Sequence, residues 1–366
     1  MRRRLFLALY AAVLGHWFTT GSSAEPRFDP CDVNGVRRIV AVGDVHGGYD
    51  EFVRILRVAG VTNAKDRWAG ADTYLVQTGD VVDRGAGSRR ALDLLRRLER
   101  EATKARGRVI PLVGNHEVMR LLGTMRDTNP AEIEAFRTAR SGELRDAVRE
   151  RWLAAQREAA APSNTPVDAA ALIAKFDADT PLGLVEMLSA FSAQGEYGKW
   201  IRGNAAAARI NGIMFLHGGV SPRVAPRGCA GINAGVRTDL TTGLEQVRQA
   251  PLESLSMSED GPLWYRGLAR EDEATFAPAV ESILESVDAH AMVIGHTVSD
   301  TGRIRSRFGG RVVQIDTGML ASVYKGGRGS ALEIVGDRWT AIYEDSREPL
   351  ITPARPSARL APAPAR

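Results

Sequence analysis

At 366 residues and 44% apolar composition, the chain can bury one large core or two ordinary ones. Its formal charge of +4, less Arg2, Arg3 and Arg4 in the first 24 residues, leaves +1 for the rest. That balance gives no reason to expect a nucleic-acid partner.

Residues 1–24 read as a cleavable export signal. A basic start is followed by an apolar stretch from Leu5 to Phe18, then by Ser22-Ser23-Ala24 as a small-residue cleavage site. The apolar run is shorter than the roughly 20 residues that span a bilayer, so no stable membrane anchor is expected. The mature protein is expected to be periplasmic or secreted. Arg3-Arg4-Leu5-Phe6-Leu7 also fits a twin-arginine pattern. Residues 25–36 read as a linker. Cys31 and Cys229 lie outside every motif; they could pair in an oxidising compartment, or stand apart as two thiols.

An α/β rhythm then begins. Arg38–Val42, Tyr74–Gln77 and Val109–Val113 are short apolar strands, and Ser88–Lys104 places Ala91, Leu94, Leu95 and Leu98 at helical spacing. Strand, helix, strand is the grammar of a parallel sheet, in which ligands collect at the carboxyl ends of strands. From about residue 118 to 209 the rhythm breaks. Leu144, Val148 and Trp152 predict one helix; Thr180-Pro181 predicts the start of another, with Leu184, Leu188 and Phe191 on its apolar side. This helical insertion either overhangs a site or packs on the core. Ile213–Leu216 and Met292–Ile294 return to strand, and four short strands follow at Ile304–Arg307, Val312–Ile315, Leu332–Val335 and Trp339–Tyr343. Gly309-Gly310 and Gly336-Asp337 supply turns. The expected fold is α/β: a sandwich of two mixed β-sheets flanked by helices, spanning 37–344, with a disordered tail at 345–366.

The chemistry lies at the strand ends. Gly43-Asp44-Val45-His46-Gly47, Gly79-Asp80-Val81-Val82-Asp83-Arg84-Gly85 and Gly114-Asn115-His116-Glu117 each close an apolar run with a glycine and oxygen or nitrogen ligands. His217-Gly218-Gly219 and Gly295-His296-Thr297 do the same further on. Of six histidines, His16 lies in the signal and His290 precedes a strand, whereas the other four fall inside these motifs. Asp44 and His46 bracket one residue, and Asp80 has two oxygens with which to bridge two ions; Asn115, His217 and His296 complete a set without thiolate. Such a set suits Mn first, with Fe, Zn or Ni as alternatives, rather than Mg or Ca alone. Two divalent ions about 3.5–4 Å apart would clamp a phosphoryl group and acidify a shared water. His116, next to a ligand, is the expected general acid, Asp83 its orienting carboxylate, and Arg84 a planar fork for phosphate oxygens. The glycines are expected to bring backbone close to substrate.

In these motifs the chain resembles the calcineurin-like metallophosphoesterases, specifically their phosphoprotein phosphatase branch. The resemblance covers roughly Ile39 to Tyr343. It implies one ion held by Asp44, His46 and Asp80, a second held by Asp80, Asn115, His217 and His296, Arg84 on phosphate, and a further arginine from a later loop. Arg266, in Trp264-Tyr265-Arg266-Gly267, is the candidate for that arginine. The Trp-Tyr-Arg-Gly run and Asp316-Thr317-Gly318-Met319 look closer to the bacterial-type Shewanella-like phosphatases, and the Ser-Ala-Pro-Asn-Tyr motif of the eukaryotic enzymes is absent. The implied function is hydrolysis of a phosphomonoester, on a phosphoprotein or phosphopeptide, by metal-activated hydroxide. A dinucleoside polyphosphate hydrolase uses the same opening motifs and stands as an alternative; an inactive phosphate-binding scaffold is the alternative from another class. A monomer is expected.

Overall fold

Three parallel strands, β1 (Ile39–Val42), β2 (Tyr74–Gln77) and β3 (Arg108–Pro111), open the fold of the computed structural model, which describes residues 30–161 and 168–353. Parallel pairing requires a return crossover, and α1 (Tyr49–Val58) and α2 (Ser88–Lys104) supply it. After a second sheet, β9 (Ser330–Val335), β10 (Arg338–Tyr343) and β11 (Arg347–Pro349) come back antiparallel to complete the order β11-β10-β9-β1-β2-β3. The other sheet orders β4 (Ala207–Ile210), β5 (Ile213–Leu216), β6 (Ala291–Ile294), β8 (Val312–Gln314) and β7 (Arg305–Arg307), again mixed in sense.

Successive residues of each central strand alternate between two cores. Ile39, Ala41, Val76, Phe215 and Val293 meet between the sheets, whereas Val40, Val42, Met214, Leu216 and Ile294 join the core under the helices. Burial on both faces is why β1, β5 and β6 read as unbroken apolar runs. Leu92, Leu95 and Leu98 of α2 and Phe52, Ile55 and Leu56 of α1 cover the outer face.

The insertion comprises α3 (Asn115–Leu121), α4 (Pro130–Glu134), α5 (Ser141–Ala160), α6 (Ala169–Asp179), α7 (Leu184–Phe191) and α8 (Glu196–Arg202). Val148 and Trp152 meet Leu153, Phe176 and Val185 in a small core of their own, with Leu144 packed against it. α7 has two apolar sides: Val185 faces that small core, while Leu184, Met187 and Phe191 join the main one. Two expectations need correction. The helix anticipated from Thr180-Pro181 starts at Leu184, after Gly183 at φ 95°, because Thr180 instead ends α6. α6 itself was not anticipated: it is alanine-rich, with little apolar periodicity, although Asp168 caps it by accepting the Ala171 N–H at 3.0 Å.

Neither end of the folded domain falls where composition places it. The 30–36 part of the expected linker is pinned to the fold by a Cys31–Cys229 disulfide (Cα–Cα 5.6 Å) into α9 (Gly228–Leu240). A bridge from Val33 to Ile210 and paired hydrogen bonds between Val36 and the Asn211 side chain add to this. At the other end, Arg347–Pro349, read as disordered tail, is strand β11. The expected export signal at 1–24, residues 25–29 of the expected linker and residues 354–366 lie outside the described residues. No described helix is long and apolar enough to cross a membrane.

Candidate active site

Every predicted ligand is buried, and each follows the strand it was assigned to. Asp44 and His46 follow β1, Asp80 follows β2, Asn115 opens α3 after β3, His217 follows β5 and His296 follows β6. The two carboxylates divide their oxygens alike. Asp44 Oδ1 accepts the His296 N–H (3.0 Å) and Asp80 Oδ1 accepts the His116 N–H (2.9 Å). Each Oδ2 is left to face imidazoles. Asp80 Oδ2 lies 3.2 Å from His217 Nε2 and 3.7 Å from His46 Nε2, and Asp44 Oδ2 is also 3.7 Å from His46 Nε2. Asp80 thereby belongs to two groups of potential ligands, with His46 and His116 on one side and with His217 and His296 on the other.

The imidazole partners decide what that space is for. His46 Nδ1 lies 3.1 Å from the Val82 carbonyl and His217 Nδ1 lies 2.9 Å from the Thr78 carbonyl, so in each ring Nδ1 is the protonated nitrogen and donates. Their Nε2 lone pairs then face oxygen acceptors: the carboxylates, and for His217 also Asn115 Oδ1 at 2.8 Å. Acceptors turned on acceptors in a buried place are satisfied by a cation held between them. His296 Nε2 is buried with no hydrogen-bond partner among the described residues, which fits the same need. Burial lowers the pKa of His46 to about 4; burial and the neighbouring His217 lower that of His296 to about 2, keeping both in the neutral form that binds metal. Burial, then the charges of Asp316 and Asp80, push Asp44 well above the carboxylate range, a repulsion that cations would relieve.

Holding these groups together distorts the backbone. His46, Asp80, Asp83, Arg84 and His296 all adopt left-handed φ, between 45° and 72°, uncommon for residues with a side chain. The glycines of the motifs stand where neighbouring loops come too close for a side chain. A Cβ on Gly114 would lie 2.2 Å from Asp80 Oδ1, and one on Gly47 would lie 2.5 Å from the Gly85 carbonyl. They let one ligand loop approach the next.

Beside the cluster stands the expected dyad. His116 Nδ1 and Asp83 Oδ2 are 2.8 Å apart, and His116 Nε2 lies 3.4 Å from an Arg84 Nη and 3.9 Å from Asp80 Oδ2. Burial opposes a charge on His116, but Asp80 and the Asp83 hydrogen bond outweigh it and raise its pKa. Burial likewise opposes ionised Asp83, yet His116 and Arg120 hold it below the usual range. Among the described residues Arg84 makes no ion pair and its Nε is buried without a partner; its guanidinium lies 5.4 Å from the Tyr324 ring centroid. Arg266 reaches the other side of the cluster, donating to the His296 carbonyl (2.9 Å) and to Thr297 Oγ1 (3.0 Å).

Four residues at the site received no role from the sequence. Glu117 is buried and its carboxylate accepts the backbone N–H groups of Asp80, Val81, Val82 and Gly114 at 2.8, 2.8, 3.3 and 2.9 Å. Asp316 is buried next to Asp44; it accepts the Gly318 N–H, and burial raises its pKa to about 6. Arg120 is buried behind Asp83, and Tyr324 lines the edge near His46 and Arg84. Glu117 and Asp316 were visible in the sequence, as members of the Gly-Asn-His-Glu and Asp-Thr-Gly-Met motifs. For Arg120 and Tyr324 no spacing pointed to the site.

Two mixed sheets whose strand ends deliver carboxylates, imidazoles and an amide to one buried cluster, with an acid dyad and an arginine at its edge, define a metal-dependent phosphoesterase. The chain belongs to the calcineurin-like phosphoesterase family, whose model matches residues 37–300. It is similar to Shewanella-like protein phosphatase 1 of Plasmodium berghei (strain Anka), at 28% identity over 301 residues, covering 81% of this chain and 71% of that one. Shewanella-like protein phosphatase 2 of Arabidopsis thaliana is 28% identical over 286 residues, covering 77% and 71%. Among solved structures, the cold-active protein-tyrosine phosphatase of a psychrophilic Shewanella species superposes with a TM-score of 0.66 at 25% identity, covering 91% of this chain and 86% of that one. The protein is a phosphatase, a hydrolase of phosphoric monoesters.

Proposed function

We propose that this phosphatase acts on phosphoprotein, with phosphotyrosine the first substrate to test, through a pair of divalent cations shared by Asp80. The observation that carries this reading is the set of lone pairs turned on one another around Asp80 Oδ2, with the His116–Asp83 dyad at its edge. Asp44, His46 and Asp80 would hold one ion, and Asp80, Asn115, His217 and His296 the other; Mn suits the donor set, and Fe, Zn and Ni are alternatives. When bound, such ions supply Lewis acidity that draws charge from phosphate oxygens and activates water.

The chain's own groups do the rest. Arg84, its buried Nε unpaired among the described residues, grips phosphate oxygens, and Arg266 approaches from the His296 side. Water supplies the new P–O bond. The P–O bond to the leaving group breaks with its electron pair on oxygen, and that oxygen takes the proton from His116 Nε2. One water proton stays on phosphate; the other restores His116. Asp83, fixed on Nδ1, keeps the ring turned so that Nε2 faces the reacting atoms. Likeness to a protein-tyrosine phosphatase over 91% of this chain supports the choice of substrate. The disulfide favours an oxidising compartment, in line with export through residues 1–24.

The test is His116→Asn in the Mn-loaded enzyme. Metal content should persist while turnover of phenyl phosphate, a poor leaving group, falls about 100-fold or more and p-nitrophenyl phosphate suffers less. Equal turnover of phenyl phosphate by both enzymes would refute the assignment. A parallel comparison of phosphotyrosyl and phosphoseryl peptides with diadenosine tetraphosphate decides the substrate; preference for the nucleotide would replace the protein-phosphatase reading.

A further inference from the structure

Behind the dyad lies a buried polar network to which no role has been given. Arg120, in α3, is fully buried and donates through Nη1 to Glu132 Oε1 at 2.9 Å. Its Nη2 donates to Asp83 Oδ1 and to Thr128 Oγ1 (3.0 Å), and the Thr128 hydroxyl donates in turn to Asp83 Oδ1 at 3.0 Å. Glu132, on α4, is also fully buried. The same segment holds the next residue by its backbone: the Asp127 carbonyl accepts the Arg84 N–H (2.8 Å), and Asn129 Nδ2 donates to the Arg84 carbonyl (3.0 Å). Residues 127–132 thus grip Asp83 and Arg84 from the insertion.

Stability is a poor reason for such a pair. Burying Arg120 with Glu132 costs both ions their hydration, and replacing a buried ion pair with apolar side chains of similar volume is often neutral or stabilising. What the network does achieve is geometric. With Asp83 Oδ1 occupied by Arg120 and Thr128, only Oδ2 is left for His116 Nδ1. We propose that Arg120 and Glu132 are positioning residues: they lock the Asp83 carboxylate, and through it the His116 ring, so that the helical insertion is a working part of the acid site and not a separate cover. This rests on the reading of His116 as proton donor.

The test replaces the pair together, as R120M/E132M, with Glu132→Gln and Thr128→Val as milder variants should the double one not fold. All are assayed Mn-loaded beside His116→Asn, with phenyl phosphate and p-nitrophenyl phosphate, metal content and melting temperature measured in parallel. R120M/E132M also takes from Asp83 its buried cation, so it should melt below the wild-type temperature while keeping its metal. Its kcat should fall at least about 10-fold further for phenyl phosphate than for p-nitrophenyl phosphate, a leaving-group signature that simple loss of folded enzyme cannot produce. Unchanged rates, or equal losses on both substrates, in the folded variants would overturn the positioning role. If His116→Asn itself shows no leaving-group dependence, the acid assignment fails and this inference with it. If His116→Asn shows it and the folded network variants do not, only the inference fails.

Discussion

Glu117 gives the sharpest test of how the centre is held, because its carboxylate touches no proposed ligand side chain yet binds the backbone on which two of them stand. Oε2 accepts the N–H groups of Asp80 and Gly114, and Oε1 those of Val81 and Val82. Burial and the charge of Asp80 push the Glu117 pKa up, and the four donors oppose this by leaving neither oxygen room for a proton. Glu117→Gln keeps size and shape but turns an NH₂ group toward two of the four N–H groups. Two buried donors are then unsatisfied, at about 1–3 kcal/mol each, or about 2–6 kcal/mol together.

At about 2.1 cal/mol/K per residue, a domain of about 320 residues has an unfolding entropy near 0.7 kcal/mol/K, so the melting point should drop by about 3–9 °C. The β2 turn that aims Asp80 at the cluster loosens as well, and Mn affinity should fall about 10–100-fold, as for other outer residues of metal sites. Calorimetric titration of metal-stripped enzyme with Mn, together with thermal melts, measures both. An E117Q protein that melts within about 1 °C of wild type and binds Mn within about twofold would show that the four hydrogen bonds do not position the centre.

Gly114→Ala is compatible with its backbone at φ −101°, ψ 176°, so any loss must come from the methyl group, which would meet Asp80 Oδ1 at 2.2 Å. Overpacking of about 1–3 kcal/mol and a fall in bound metal per chain are expected; full metal content by elemental analysis would contradict this. The disulfide joins residues 198 apart. The chain-entropy relation gives a ceiling of about 5 kcal/mol for such a loop, so the C31S/C229S double variant should melt about 3–8 °C lower, and an unshifted melt would count against the bridge. Tyr324→Ala removes the ring beside Arg84 and should raise KM about 3–10-fold, corresponding to a cation–π contribution of about 1 kcal/mol, whereas Tyr324→Phe should leave KM unchanged.

The parts that were legible in the sequence share a physical cause. A strand buried on both faces must be an unbroken apolar run, and the ligand that ends it must be polar, so Ile213–Leu216 followed by His217 announces both an element and a site. α2 was legible over its full length because its apolar stripe faces one core. α6 was not, since its only buried residue is Phe176 and a single side chain has no period. The segments at either end, 30–36 and 347–349, look polar because they are held by a disulfide, side-chain hydrogen bonds and an edge strand, none of which needs apolar composition.

The same contrast separates the two shells of the site. Ligands are chosen for chemistry, and chemistry is written in residue type, which is why all six predicted metal ligands arrive at the cluster. The residues that aim them are chosen for where another element happens to lie. Arg120 reads on its own as a cation ending a short helix; only packing α4 against it brings Glu132 within 2.9 Å and turns a surface-type residue into a fully buried one. Its effect on His116 therefore exists only in the folded chain, and a variant at Glu132, 16 residues from the histidine it steadies, is the place where that dependence can be measured.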